Sequence, residues 1–105
     1  MDISLRVIPF NNIVNNLKTI EVRLYRGIFT KIKINDIIKF TSNDRTITKK
    51  IKNIKLYNSF EELYNSENIN NITPSIKSKE CFINHYEDIY KNYNTKNHKV
   101  IALFI

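Results

Sequence analysis

The chain has 105 residues, 42% of them hydrophobic and 26% charged, which is the size of one domain able to bury about two-thirds of its unfolded surface. Its 19 Ile, 6 Phe and 6 Tyr exclude wholesale disorder, and the single Cys81 excludes both an internal disulfide framework and a cysteine-based zinc cluster. The net charge of +7 points to an anionic partner, nucleic acid before anything else.

Residues 3–8 alternate weakly and predict a first strand. Pro9 then stands where a helix can begin, with Phe10, Ile13, Val14 and Leu17 at helical spacing. Asn15 and Asn16 end that helix, because Asn tolerates the left-handed conformation. Residues 19–25 show the clearest alternation in the chain. Ile20, Val22 and Leu24 share one face of a half-buried strand, and Glu21 and Arg23 project together from the other, about 7 Å apart. Arg26 and Gly27 break it.

Asn35–Asp36 predicts a turn leading into a strand that ends near Ser42. Ser42–Asn43–Asp44 is a hairpin turn. Residues 45–57 are expected to form one long strand, with a β-bulge where the alternation changes phase between Ile51 and Ile54. Ser59 and Glu62 fit a helix capping box, with Phe60, Leu63 and Tyr64 on the apolar face. Residues 65–78 are rich in Asn and Ser and read mostly as loop. Residues 79–93 predict a second long helix, with Phe82, Ile83, Tyr86, Ile89, Tyr90 and Tyr93 on one stripe. Residues 99–105 are almost continuously apolar and predict a buried final strand. The expected architecture is α+β: five or six strands and two or three helices in a small barrel closed by the last strand, all in one domain over residues 1–105.

The basic charge needs discounting. Ile, Asn, Lys and Tyr make up 54 of the 105 residues, and these are the residues an AT-rich genome encodes in excess. Lysine outnumbers arginine 13 to 4 as that bias would produce. The four arginines retained against it, Arg6, Arg23, Arg26 and Arg45, are therefore the more informative cations.

Lys18, Glu21 and Arg23 form the densest candidate site. A carboxylate between two cations stays ionised, and the cations favour a phosphate or a carbonyl oxygen. The alternative is a solvated strand face with ordinary ion pairs. Lys49, Lys50, Lys52 and Lys55 could track a nucleic-acid backbone, or simply protect an exposed edge strand. Cys81 and His85 stand one helical turn apart, but with no further cysteine or nearby histidine in sequence they make a poor metal site. One glycine excludes glycine-rich phosphate loops.

The segment Asn16-Leu17-Lys18-Thr19-Ile20-Glu21-Val22-Arg23 resembles the G-x-K-x-x-E-x-R signature of ASCH (activating-signal-cointegrator homology) domains, members of the PUA-like β-barrel superfamily. Four further segments resemble the family in order: Ile34–Phe40, Tyr57–Leu63, the late helix at Tyr86 and Ile89–Tyr90, and Val100–Phe104. Asn16 and Asn35 stand where the family usually has Gly; Asn is the best substitute at positive φ.

The resemblance implies a cleft lined by Lys18, Glu21 and Arg23. It implies RNA or a modified nucleoside as partner, bound without a cofactor or metal by a monomer. Tyr25 or Tyr86 could stack on a base, and Arg26, Lys50 and Lys52 could supply further contacts. Some relatives hydrolyse N4-acetylcytidine or cleave RNA, and in either version Lys18, Glu21 and Arg23 would be the catalytic group. The acetylcytidine hydrolases carry Thr where this chain has Glu21, and their further acidic residue falls around Glu67. A protein-interaction adaptor with an unused cleft is the third reading. No apolar run approaches the ~18 residues of a membrane span, and MDISLRVIPF does not resemble a signal peptide, so a cytoplasmic location is expected.

Overall fold

The computed structural model describes all of residues 1–105 and is mixed α and β, with six strands in two three-stranded sheets and three α-helices. In the first sheet β1 (Asp2–Ser4) runs parallel to β3 (Ile37–Ser42), which pairs antiparallel with β4 (Arg45–Lys50). In the second, β6 (Val100–Phe104) lies between β2 (Ile20–Leu24) and β5 (Asn53–Tyr57), antiparallel to both. The last strand is thus a central one. This explains its unbroken apolar run, because a strand covered on both faces has no polar face to alternate with.

Its two faces serve two cores. Val100 and Ala102 join Ile20, Val22 and Leu24 beneath α2 (Phe60–Ser66) and α3 (Lys79–Ile89), against Phe60, Leu63, Phe82 and Tyr86. Ile101, Leu103 and Ile105 point the other way, toward Ile3, Ile38 and Phe40 of the first sheet, Ile51 just beyond it, and Phe10 and Ile13 of α1 (Val7–Val14).

The expected long strand over 45–57 is two strands. Ile51 is fully buried, and its N–H donates to the Asp36 carbonyl at the base of β3. The next N–H, from Lys52, donates to Phe104 of β6. The phase change marks the corner where the chain leaves one sheet for the other, not a bulge within one ladder. The first strand is also shorter than expected, and the helix starts at Val7 rather than Pro9. Leu5 still donates to Thr41, but Arg6 already caps the helix. Pro9 falls in the first turn, where a missing N–H leaves nothing unpaired. The last helix stops at Ile89, four residues early, with Tyr90 as its cap and Tyr93 in the turn beyond.

Asn16, Asn35 and Asn43 have φ of 59°, 78° and 54°, the left-handed turns anticipated at the helix end, before β3 and in the hairpin. Gly27 (φ 56°) turns the chain out of β2 into the short helical turn Gly27–Thr30.

Candidate functional site

Asn16 places the first site residue. Its left-handed backbone turns the chain so that Leu17 and Lys18 both donate their N–H to the Asn12 carbonyl, at 2.8 and 2.9 Å. With Asn16 N–H on Ile13, this is a Schellman-type ending for α1. Lys18 then reaches inward. Its ammonium donates to the carbonyls of Ile20 (3.1 Å) and Ile72 (2.9 Å) and lies 3.3 Å from Glu21 Oε1. Lys18 is 6% exposed, so its charge is satisfied by protein acceptors rather than water.

β2 is an edge strand, and its outer edge is closed by side chains. Lys18 covers the Ile20 carbonyl, Glu21 Oε1 accepts the Val22 N–H at 3.2 Å, and the Tyr90 hydroxyl accepts the Leu24 N–H at 3.1 Å. Glu21 Oε2 accepts from Arg23 Nη2 at 3.2 Å. Burial alone would push the Glu21 carboxyl up. The charges of Lys18 and then Arg23, with hydrogen bonds from both, outweigh it and hold the carboxyl below its ordinary value. Arg23 is the outermost of the three, with its side chain 27% exposed. One of its N–H groups is taken by Glu21, its guanidinium lies 5.8 Å over the Phe29 ring, and its other donors have no protein acceptor.

These residues floor a cleft of about 670 Å³. Arg6 to Pro9 form one wall, Ile72 to Ile76 a second, and His85, Tyr86, Ile89 and Tyr90 of α3 and its cap a third. The segment 72–76 therefore borders the cleft. Glu21 is the one acid of the lining, against the cations Lys18, Arg23 and Arg6. Burial, then the charges of Arg6 and Lys18, lower the pKa of His85, with Asp88 opposing.

The other sequence candidates separate. Tyr86 lines the cleft, but its ring stacks on Phe60 (5.1 Å) and packs against Phe82 (4.9 Å), leaving 6% exposed. It is a wall rather than a free stacking platform. Burial, then the negative charge of Glu21, raise its phenol well above the usual value. Tyr25 packs against the inter-sheet core, outside the cleft lining. Lys50 on β4 and Lys52 at the sheet corner are exposed and also lie outside it. Arg26 is exposed and stacks on Tyr93, whose ring meets Tyr90. Glu67 is likewise no part of the cleft lining: it accepts from the Tyr57 hydroxyl and lies 3.6 Å from Lys55, and burial followed by this hydrogen bond pushes Tyr57 up to about 12. Cys81 is exposed, and no three His, Cys, Asp or Glu side chains are grouped to hold a metal ion.

Arg6 and Tyr90 were not singled out as binding residues from sequence, and His85 only as half of a poor metal site with Cys81. Arg6 carried a signal in being a retained arginine. Tyr90 carried a signal in the helical stripe and in the family resemblance, but nothing local shows its bond to Leu24, 66 residues away.

The family model for the ASCH domain matches residues 3–104. The chain belongs to the ASCH family. The hypothetical protein PH0355, known from a crystal structure, is 32% identical, with a TM-score of 0.87 over 98% of this ASCH chain and 94% of its own. The solution structure of protein PF0455 from Pyrococcus furiosus is 29% identical, with a TM-score of 0.75 over 99% of this chain and 94% of its own. No curated protein matches. The family fixes the fold as PUA-like, and within this ASCH domain Lys18, Glu21 and Arg23 meet along the outer edge of β2. No helix is long and apolar enough to cross a membrane.

Proposed function

We propose that this ASCH domain binds RNA or a modified nucleoside in the cleft, with Arg23 as the principal contact. One observation carries the reading. Glu21 fixes the Arg23 guanidinium by a single bond, leaving its other donors unpartnered in a cleft whose lining holds one acid. A planar, pre-oriented guanidinium suits a phosphate or the carbonyl edge of a base. The cleft is also large enough for one nucleotide, in the ordinary size range of small-ligand sites. Lys18 acts behind it, holding Glu21 in place.

The enzymatic readings draw less support. A general base needs a free lone pair within reach of its proton. Glu21 has both oxygens committed to Val22, Lys18 and Arg23, and its carboxyl is held as a weak base. Lys18 has three acceptors around its ammonium. Nothing favours an adaptor that leaves the cleft unused.

Equilibrium binding of a labelled mixed-sequence RNA and of cytidine-type nucleosides tests the reading. RNA affinity should fall with salt, and Arg23→Gln should weaken it by about tenfold, the ordinary loss of one charge-assisted contact. Salt-independent nucleoside binding that also needs Arg23 would identify base readout. Unchanged binding by Arg23→Gln would reject the assignment.

A further inference from the structure

Resting on that reading of the cleft, we propose that the ligand is a strand of RNA rather than a lone nucleoside. The nucleotide next to the one in the cleft stacks on Arg26, which Tyr93 holds as a flat shelf at the cleft's edge.

The Arg26 guanidinium carbon lies 4.4 Å from the centroid of the Tyr93 ring. Tyr93 is 44% exposed although it is large and aromatic, and Arg26 is exposed with it. Arg26 makes no salt bridge. Its binding to an RNA strand would break no internal ion pair. The shelf is joined to the cleft by aromatic contacts. Tyr93 meets Tyr90 edge-on at 5.9 Å, and Tyr90 lines the cleft while bonding the Leu24 N–H. Arg26 and Arg23 are three residues apart, at most about 11 Å of extended chain.

The chemistry fits a base. A guanidinium is planar and weakly hydrated, and bases splayed from single-stranded RNA stack on such planes. With Tyr93 against it and the residue exposed, the guanidinium is held at the surface where a base can meet it. A free lysine in the same place would supply charge but no plane. In a chain where lysine outnumbers arginine 13 to 4, Arg6 and Arg23 line the cleft and Arg26 lies on Tyr93, which touches the cleft-lining Tyr90.

The test measures equilibrium binding of cytidine monophosphate and of a mixed-sequence RNA octamer to the wild type, Arg26→Ala, Arg26→Lys, Tyr93→Ala and Arg23→Gln. The octamer should bind at least about tenfold tighter than the mononucleotide. Arg26→Ala and Tyr93→Ala should each weaken the octamer by about fivefold to a hundredfold, the ordinary worth of one stacked base, and leave the mononucleotide within about twofold. Arg26→Lys should behave like Arg26→Ala. Restoration by lysine would overturn the shelf in favour of simple charge attraction. So would equal losses for both ligands, or no loss for either. If Arg26→Ala is inert while Arg23→Gln weakens both ligands, the shelf alone fails. If Arg23→Gln binds both as the wild type does, the cleft reading fails first.

Discussion

Lys18 Nζ lies 3.3 Å from Glu21 Oε1, and both side chains are only 5% exposed. Without Lys18 the buried carboxylate would keep only Arg23 as a charged partner, and without Glu21 the buried ammonium would keep only two carbonyls. The lysine also joins β2 to the cleft wall that begins at Ile72, through the carbonyls of Ile20 and Ile72. Lys18→Met keeps the side chain's length and removes its charge. It should destabilise the fold by about 3–5 kcal/mol, as breaking one partner of a buried pair does. Thermal unfolding should show a fall of more than about 10 °C. Adding Glu21→Gln should recover part of the loss, since the buried carboxylate that has lost its lysine is then neutral. A midpoint unchanged by Lys18→Met would mean the lysine serves ligand only.

Glu21 gives the same cluster a pH signature. Its carboxyl is held below the ordinary value of 4.5 because the attraction of Lys18 and Arg23 outweighs burial. The unfolded chain therefore takes up this proton at higher pH than the folded one. Falling pH then pulls toward unfolding. The stabilisation is complete above about pH 4.5 and is lost as the pH drops through the folded value. Denaturant melts from about pH 6 to about pH 3 should show a falling acid limb, and Glu21→Gln should flatten it. An identical limb in the variant would assign acid sensitivity to other carboxylates.

What the sequence made legible is what repeats locally. Ile20, Val22 and Leu24 alternate because one sheet face is buried, and the capping box works as its spacing says: Ser59 Oγ accepts the Glu62 N–H at 3.1 Å. Asn16 and Asn35 were identifiable as left-handed turns because few other residues tolerate them. Glu21 and Arg23 stand together because they are two residues apart on one strand, whereas Lys18 precedes the strand and joins them through the turn at Asn16. What stayed hidden depends on contacts distant in sequence. The strand break at Ile51 is decided by Asp36 and Phe104, and the acceptor that buries Lys18 is Ile72, 54 residues on. Tyr86 carries the same helical spacing whether its ring is free or stacked. Only Phe60, brought over by another helix, shows that it is packed.

His85 should make binding pH-sensitive in the opposite direction from stability. Burial, then Arg6 and Lys18, place its pKa below 6.5, so the imidazole is neutral at pH 7. A phosphate in the cleft favours the protonated form and should raise that pKa. Protonation and anion binding then assist each other. RNA affinity at constant ionic strength should rise by about two- to fivefold from pH 7 to pH 5, the effect of one added, partly screened charge. His85→Gln should remove the rise. A rise that persists in the variant would place the titrating group elsewhere.

Asn16 ties the end of α1 to the site, and its backbone is the strained element of that join. At φ 59° an ordinary L-residue is disfavoured by about 1–2 kcal/mol, whereas glycine is not. Asn16→Ala should therefore lower stability by about 1 kcal/mol in urea titrations, and Asn16→Gly should match or exceed the wild type. Asn15→Ala, at an exposed position with φ −87°, is the control and should change little. The Asn16→Ala loss should also reach the cleft, because the Leu17 and Lys18 N–H groups close on the Asn12 carbonyl only while the turn is left-handed. RNA binding should weaken in Asn16→Ala and not in Asn16→Gly. Equal behaviour of the two variants in both measurements would mean that β2 alone, without the helix ending, positions Lys18.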